Sequence, residues 1–306
     1  MSALGTSPDG GAPVTAPGTS FDGAPRESPA RLRRTAGFWL ARPGLVLSVV
    51  FIALVLLAAL HPALFTGRDP LAGVPADRLR PPDGEHLLGT DQLGRDLFTR
   101  LVHGSSLTLR ATALAVFVGL VAGSLTGLVA GAAGGWADSV LMRLTDVLLA
   151  VPGLLLSLAL VTALGFGTVQ VAVAVGVTSV AMFARIMRAE VLRVARSTYV
   201  EAARASGTRW YAVLLRHVLP NAAGPVLVYA AVDFGGVVLQ VSSLSFLGYG
   251  ARPPAPEWGS LVAGGRDYLA TAWWLTTLPG LALAATVLAA NRIARALDGE
   301  AKESTP

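Results

Sequence analysis

Several stretches of roughly 17 residues or more pass without one charged side chain, and no other feature restricts this chain so much. Its 306 residues would suggest about two soluble domains by length alone. Only 14% of them are charged, against about 25% in a soluble domain, so there is too little polar surface to dissolve a globule. With 53% hydrophobic residues and a mean hydropathy of +0.59, the composition fits a bundle of membrane helices.

The first apolar run is Pro43–Leu60, preceded by Arg26, Arg31, Arg33, Arg34 and Arg42. A basic flank and an apolar core also describe a signal peptide. This run starts too deep and continues too long for one, which favours an uncleaved first helix. Ahead of it, residues 1–42 form a disordered basic cytoplasmic tail, Gly-, Pro-, Ser-, Thr- and Ala-rich with almost nothing to bury. A second run covers about Ala111–Gly135, where Gly119, Gly123 and Gly127 make a ladder that lets another helix approach closely. Val147–Ala184 is uncharged and too long for one span. The Gly165-Phe166-Gly167 turn divides it into helices over about 140–164 and 168–188. Residues 222–247 and about 271–291 supply a fifth and a sixth span. The expected fold is all-α and polytopic, a transmembrane domain over 43–298 with an external loop 61–105, a cytoplasmic loop 189–221 and a cytoplasmic tail 299–306.

Arginine placement orients the bundle. The loop between the fourth and fifth spans carries Arg185, Arg188, Arg193, Arg196, Arg204, Arg209 and Arg216, while the turn between the third and fourth has none. With six spans, both termini and the 189–221 loop share one side, and the positive-inside rule makes it cytoplasmic. Loop 61–105 argues back: it would be external yet contains Arg68, Arg78, Arg80, Arg95 and Arg100. Arginines between apolar runs read as topology signals, so nucleic acid is not an expected partner.

Whole classes of chemistry are excluded. Without cysteine there are no disulfides, thiolate metal sites or cysteine nucleophiles. The single lysine is Lys302, so a G-x-x-x-x-G-K-[ST] phosphate loop is impossible and the chain is no P-loop ATPase. His61, His86, His103 and His217 form no i,i+4 pair, and neither metal nor cofactor is expected. Asp233 lies near the middle of the fifth span, where a charge is costly in lipid and belongs on a bundle interior or a water-filled path. It reads either as a pathway residue or as a partner for a neighbouring hydroxyl. Arg143 and Asp146 are spaced for an i,i+3 pair.

The cytoplasmic segment 199–221 is the most informative. Helix formers run from about Ala189 to Ala205, Gly207 breaks them, and Trp210, Val213, Leu214 and Val218 lie at helical spacing before Pro220 opens the next span. Such a helix–Gly–helix device suits docking in a groove on another protein, or resting on a lipid surface. Glu201-Ala202-Ala203, Gly207 and Leu219-Pro220 resemble the EAA loop of ABC-importer permeases. Gly89-Thr90-Asp91-Gln92-Leu93-Gly94-Arg95-Asp96 resembles the G-T-D-x-x-G-R-D signature of the C-type subunits in the dipeptide, oligopeptide and nickel branch. There Thr90 or Asp91 would cap a short helix with Leu93, Leu97 and Leu101 on its apolar face. Leu244-Ser-Phe-Leu-Gly-Tyr-Gly250 with Pro253-Pro-Ala-Pro-Glu-Trp-Gly259 resembles a third motif of that branch, a rigid external turn in which Trp258 would anchor at the interface. The chain departs from the family at His217, at Val241 and in its last helical turn.

The resemblance implies a type I ABC-importer permease fold in the bacterial cytoplasmic membrane. It further implies a non-enzymatic subunit that moves peptides, paired with a homologous permease, two ABC ATPase subunits and an extracellular substrate-binding protein. Glu201, Ala202, Ala203, Gly207, Leu219 and Pro220 would form the ATPase-coupling loop, and Asp233 would lie on the translocation path. A nickel or metal-chelate permease shares the same motifs. A secondary transporter would need inverted repeats, and none is visible.

Overall fold

The computed structural model describes residues 43–303, with side chains as far as Leu297; the tail expected over 1–42 lies outside the described residues. Those residues are helical throughout, apart from loops and two isolated bridges, Gly73 with Arg95 and Thr90 with Asp96. Helix α1 is Pro43–Leu60 and α2 is Leu97–Ala133. Then come α3, Gly135–Ala150, and α4, Gly153–Leu164. Helix α5 is Thr168–Ala195, followed by the short α6, Thr198–Ala205. Helix α7, Trp210–Val213, runs through a π turn at Leu214–Val218 into α8, Leu219–Phe246. Helix α9 is Trp258–Gly265 and α10 is Trp274–Glu303.

Four of the expected boundaries move, each for a local reason. The helix expected over 140–164 is broken into α3 and α4, bent by 96°. Pro152 has no N–H to give and pushes Val151 into extended backbone, φ −95° and ψ 131°. Helix α2 starts at Leu97 rather than near 111, shortening the loop expected over 61–105 to 61–96. Pro220 does not open a span: α7, the π turn and α8 form one rod, Trp210–Phe246. The Leu219 N–H reaches Leu214 O, five residues back, which keeps the rod continuous just before the proline. The last helix continues through Glu303 where a tail was expected from 299.

The glycine ladder of α2 packs on α5. A Cβ at Gly119 would meet Ser179 at 2.8 Å, one at Gly123 would meet Val180 O at 2.6 Å, and one at Gly127 would meet Met187 at 2.8 Å. Gly131 faces Val191 in the same way, and Gly176 returns the favour against Ala115 O at 2.7 Å. Residue numbers rise together along this seam, so α2 and α5 run parallel. Parallel neighbours need a return crossing between them, and α3 with α4 provide it. Asp138 pairs with Arg188 and Asp146 with Arg185, then Ser157 shares Gln240 with Thr178, and Val161 packs beside Val171. Along this path the α5 numbers fall as the α3–α4 numbers rise. Five helices are apolar and long enough to cross singly, and the bent pair makes a sixth if its two halves are one span.

Helix α8 lies antiparallel to α5, so Val226 meets the Phe183–Val194 end and Val241 the Val171 end of that helix. Helix α10 runs back along α8, with Val287 beside Val238 and Asn291 against Gly235. The starts of α1 and α10's last turns share one end of the bundle, where Arg292 lies over Gly44.

Candidate functional site

At the end of the bundle expected to be cytoplasmic, the loop from Val191 to Val218 is a compact hairpin rather than an extended loop. The helix expected from 189 to 205 breaks at Arg196 and Ser197, and α6 restarts at Thr198. Ser197 cannot cap it, because its hydroxyl donates back to Val194 O at 2.6 Å. Gly207 has φ +78°, a left-handed conformation, and Thr208 N–H donates to Ala203 O at 3.2 Å across the turn. Val200, Val213 and Val218 are buried together with Met187, Val191 and Val194.

This inward packing corrects the expected docking stripe. Val213 and Val218 face their own bundle, whereas Trp210 stands 76% exposed on the other side. The outward surface is Glu201, Ala202, Ala205, Gly207 and Trp210, while Ala203 is half-buried. Glu201 occupies the first turn of α6, where a carboxylate complements the helix dipole, and it makes no ion pair among the described residues. Beside it a cleft of 230 Å³ opens between Arg204, Thr208, Trp210 and Leu214. Leu219 and Pro220 lie in the first turn of α8, Leu219 half-buried and Pro220 exposed. The Arg143–Asp146 pair does not form: Asp146 instead accepts from Arg185 at 2.6 Å.

Within the membrane, Asp233 sits half-buried on the α5–α8 seam. Ser179 Oγ donates to it at 3.0 Å and Tyr229 OH at 3.5 Å. Two turns further along α8, Gln240 donates to Ser157 and Thr178, each at 3.3 Å. The polar groups form a track linking α4, α5 and α8, and among the described residues no side chain of opposite charge meets the carboxylate. Gln240 was missed in the sequence because an uncharged residue leaves the hydropathy of its span nearly unchanged.

Segment 61–96 pairs three of its four arginines, Arg68, Arg80 and Arg95, within itself. Arg80 pairs with Asp77, Asp83 and Glu85 at 3.2, 2.9 and 3.3 Å, and Arg95 with Asp91 at 2.7 Å. Arg100 is buried and reaches Asp91 at 3.5 Å and Pro254 O at 3.4 Å. These pairs tie the arginines into a folded platform; the positive-inside rule counts arginines whether or not they are paired, so they still argue against an external loop. Neither Thr90 nor Asp91 caps a helix. Asp96 does, accepting from Thr99 N–H at 2.8 Å and from the Thr99 hydroxyl at 2.7 Å. Leu93 is exposed rather than part of an apolar face. His86 Nδ1 donates to Asp96 Oδ1, 2.9 Å away, with Arg68 at 3.4 Å from the same oxygen. Burial pushes the Asp96 carboxyl up, but Thr99, His86 and Arg68 together hold it below the usual carboxylate range.

Long-range bonds tie each of the two motifs to a neighbouring helix. Trp274 Nε1 donates to Thr90 O at 3.3 Å, and Trp258 N–H donates to the Thr108 hydroxyl at 3.2 Å. Trp258 is not an interface anchor: it is buried, its Nε1 bonded to Leu101 O at 2.8 Å. Glu257, fully buried, accepts from Ser245 at 2.6 Å and from Ala251 N–H at 2.8 Å, which ties the 244–251 turn to α9. Among the described residues no cluster of three His, Asp or Glu side chains could hold a metal ion.

Residues 123–302 match the family model described as binding-protein-dependent transport system inner membrane component. The chain is 35% identical over 248 residues to the dipeptide transport system permease DppC of Alkalihalophilus pseudofirmus, covering 81% of this chain and 82% of that one. It is 37% identical over 263 residues to the di/tripeptide permease DppC of Pseudomonas aeruginosa, with 83% and 87% covered. The glutathione permease GsiD of Pectobacterium atrosepticum is 42% identical over 216 residues, 70% and 72% covered. Among solved structures, the inward-facing MetNI methionine ABC transporter aligns with a TM-score of 0.51 at 20% identity, over 65% of this chain and 96% of the other. At that identity the likeness speaks for the fold alone.

Proposed function

Because this chain belongs to the binding-protein-dependent transport family, as an inner-membrane permease subunit of a bacterial ABC importer, we propose that its cargo is small peptides. The observation that carries this is the identity of 35%, 37% and 42% to permeases named for dipeptides, di/tripeptides and glutathione, each covering most of the chain. The family implies ATPase and substrate-binding partners. We assign two ATPase subunits, a second homologous permease and an external binding protein to the working complex, with ATP hydrolysis on the ATPase subunits.

The coupling contact in this reading is the outward face of the 199–221 hairpin. Ala202 and Ala205 are short enough for a partner to approach the backbone, and the left-handed turn at Gly207 holds the two helices apart. The rod Trp210–Phe246 starts in that hairpin and is about 55 Å long at 1.5 Å per residue. A push on Trp210 therefore tilts the helix that carries Asp233 and Gln240. Nucleotide binding would bias a two-state, rigid-body change between outward- and inward-facing bundles.

Asp233 is assigned to the translocation path, where its carboxylate favours a positively charged peptide amino terminus. Its half-exposed position on the polar track supports this, and the hydroxyls of Ser179 and Tyr229 orient it. The direct test is uptake by the complete importer reconstituted with its binding protein, comparing labelled dipeptides and tripeptides with a nickel chelate. Saturable peptide uptake that needs ATP is the expected result. Uptake of the chelate with none of the peptides would overturn the cargo assignment and leave the family standing.

A further inference from the structure

Helices α1 and α10 leave a groove of 370 Å³ at the end of the bundle that carries the N-terminus. Its wall is Leu47, Phe51, Ala285 and Leu288, and its cytoplasmic end is Arg292 and Arg295. The apolar part faces outward, with Leu47 70% and Leu288 67% exposed, as on a surface solvated by acyl chains. Both guanidinium groups are exposed. Gly44 brings Arg292 over the groove, since a Cβ at residue 44 would collide with that guanidinium. Arg295 is turned back along its own helix, Nε donating to Asn291 O at 3.3 Å. The sequence itself carries Arg31, Arg33, Arg34 and Arg42 just before α1.

We propose that this groove binds an anionic phospholipid of the cytoplasmic leaflet. Arg292 and Arg295 hold the phosphate, and an acyl chain lies along Leu47, Phe51 and Leu288. The planar donor fork of arginine matches a phosphate through two hydrogen bonds at once. A basic pocket between helices on the cytoplasmic side is the arrangement that selects anionic head groups, and a basic stretch beside the first span raises their local concentration. A zwitterionic lipid offers the same phosphate with a cation attached, so the arginine pair discriminates against it. The bound lipid would bridge the first span to the last.

The test uses the assembled importer, extracted in mild detergent and weighed intact by native mass spectrometry. Lipid identity comes from extracts of the same sample, after exchange against equal amounts of phosphatidylglycerol and phosphatidylcholine. Phosphatidylglycerol is expected to stay bound at about one per copy of this chain. The double variant Arg292→Gln with Arg295→Gln should reduce retention at least tenfold, and Arg292→Lys with Arg295→Lys should retain most of it. The Gln variant must assemble with its partners in normal yield; if it does not, the single variants Arg292→Gln and Arg295→Gln, each expected to lower retention, give the comparison. Equal retention of phosphatidylcholine, or undiminished retention by the Gln variant, would overturn the proposal. So would a wild-type complex without lipid, whose groove is instead crosslinked to the partner permease or to residues 1–42.

Discussion

Gly207 combines φ +78° with open space around the position a Cβ would take. A side chain there costs about 1–2 kcal/mol of backbone strain and meets nothing in its own chain. Gly207→Val should therefore leave the six crossings inserted and the partner permease bound, while capture of the ATPase subunits or ligand-stimulated hydrolysis is lost. Gly207→Asn, which tolerates the left-handed region, separates strain from collision: restored capture points to the turn, continued loss to a surface pressed against a partner. Normal capture and uptake in both variants would remove the coupling role. Asp233→Asn should lower uptake per assembled complex with basal hydrolysis intact. Loss of assembly with unchanged uptake per complex would make the Ser179–Asp233 bond a structural tie instead. At Asp96 the folded-state pKa is lowered, so its stabilisation is complete above the ordinary carboxylate value of about 4 and is lost as pH falls through the lowered one. Thermal unfolding of the purified complex should show an acid limb below about pH 4 that Asp96→Asn flattens, since asparagine still caps the helix.

The seam between α2 and α5 is set by glycines, and it is the part of the fold least tolerant of added volume. At Gly123 a Cβ would meet Val180 O at 2.6 Å as well as the Phe183 side chain and Ala184 N, with backbone on two sides that cannot rotate away. Gly123→Leu should cost at least about 1–3 kcal/mol by overpacking, read as a lower melting temperature and a reduced yield of assembled complex. The break between α3 and α4 is a different device. Pro152 fixes the place where the chain turns, and the polar groups beyond it, Ser157 and Gln240, then come into register with Thr178. The π turn before α8 does the reverse, carrying one helix without interruption from the hairpin into the membrane.

Across the whole molecule, the parallel course of α2 and α5 calls for a return between them, and if the bent pair is that crossing, both described ends lie on one side. The chain has no cysteine, so single cysteines report topology directly. Ala76→Cys and Phe166→Cys should react with an impermeant maleimide in intact cells, and Ser206→Cys only after permeabilisation. Labelling of the position-166 variant only after permeabilisation would mean that α3 and α4 re-enter on the cytoplasmic side and that five helices cross. The external platform has its own stake in this arrangement, because Trp274 and Arg100 join segments far apart in sequence at one end of the bundle.

Apolar run length by itself determined the helical class and the membrane spans, because the cost of an unpaired charge or peptide group in hydrocarbon leaves a chain no alternative. The left-handed turn at Gly207 and the close seam at Gly119, Gly123 and Gly127 were legible for the same local reason: glycine alone fits there. The motifs carried the family, and identity across the chain established it. Partner choice was not legible. Asp146 found Arg185 rather than Arg143, Asp96 took the cap that Thr90 or Asp91 could have formed, Val213 and Val218 turned inward, and Trp258 was buried. Each of these turns on which helix lies alongside which, and on the rotation that packing imposes on it. Spacing along one helix gives the face a residue shares with its neighbours, and only the tertiary structure decides what that face meets.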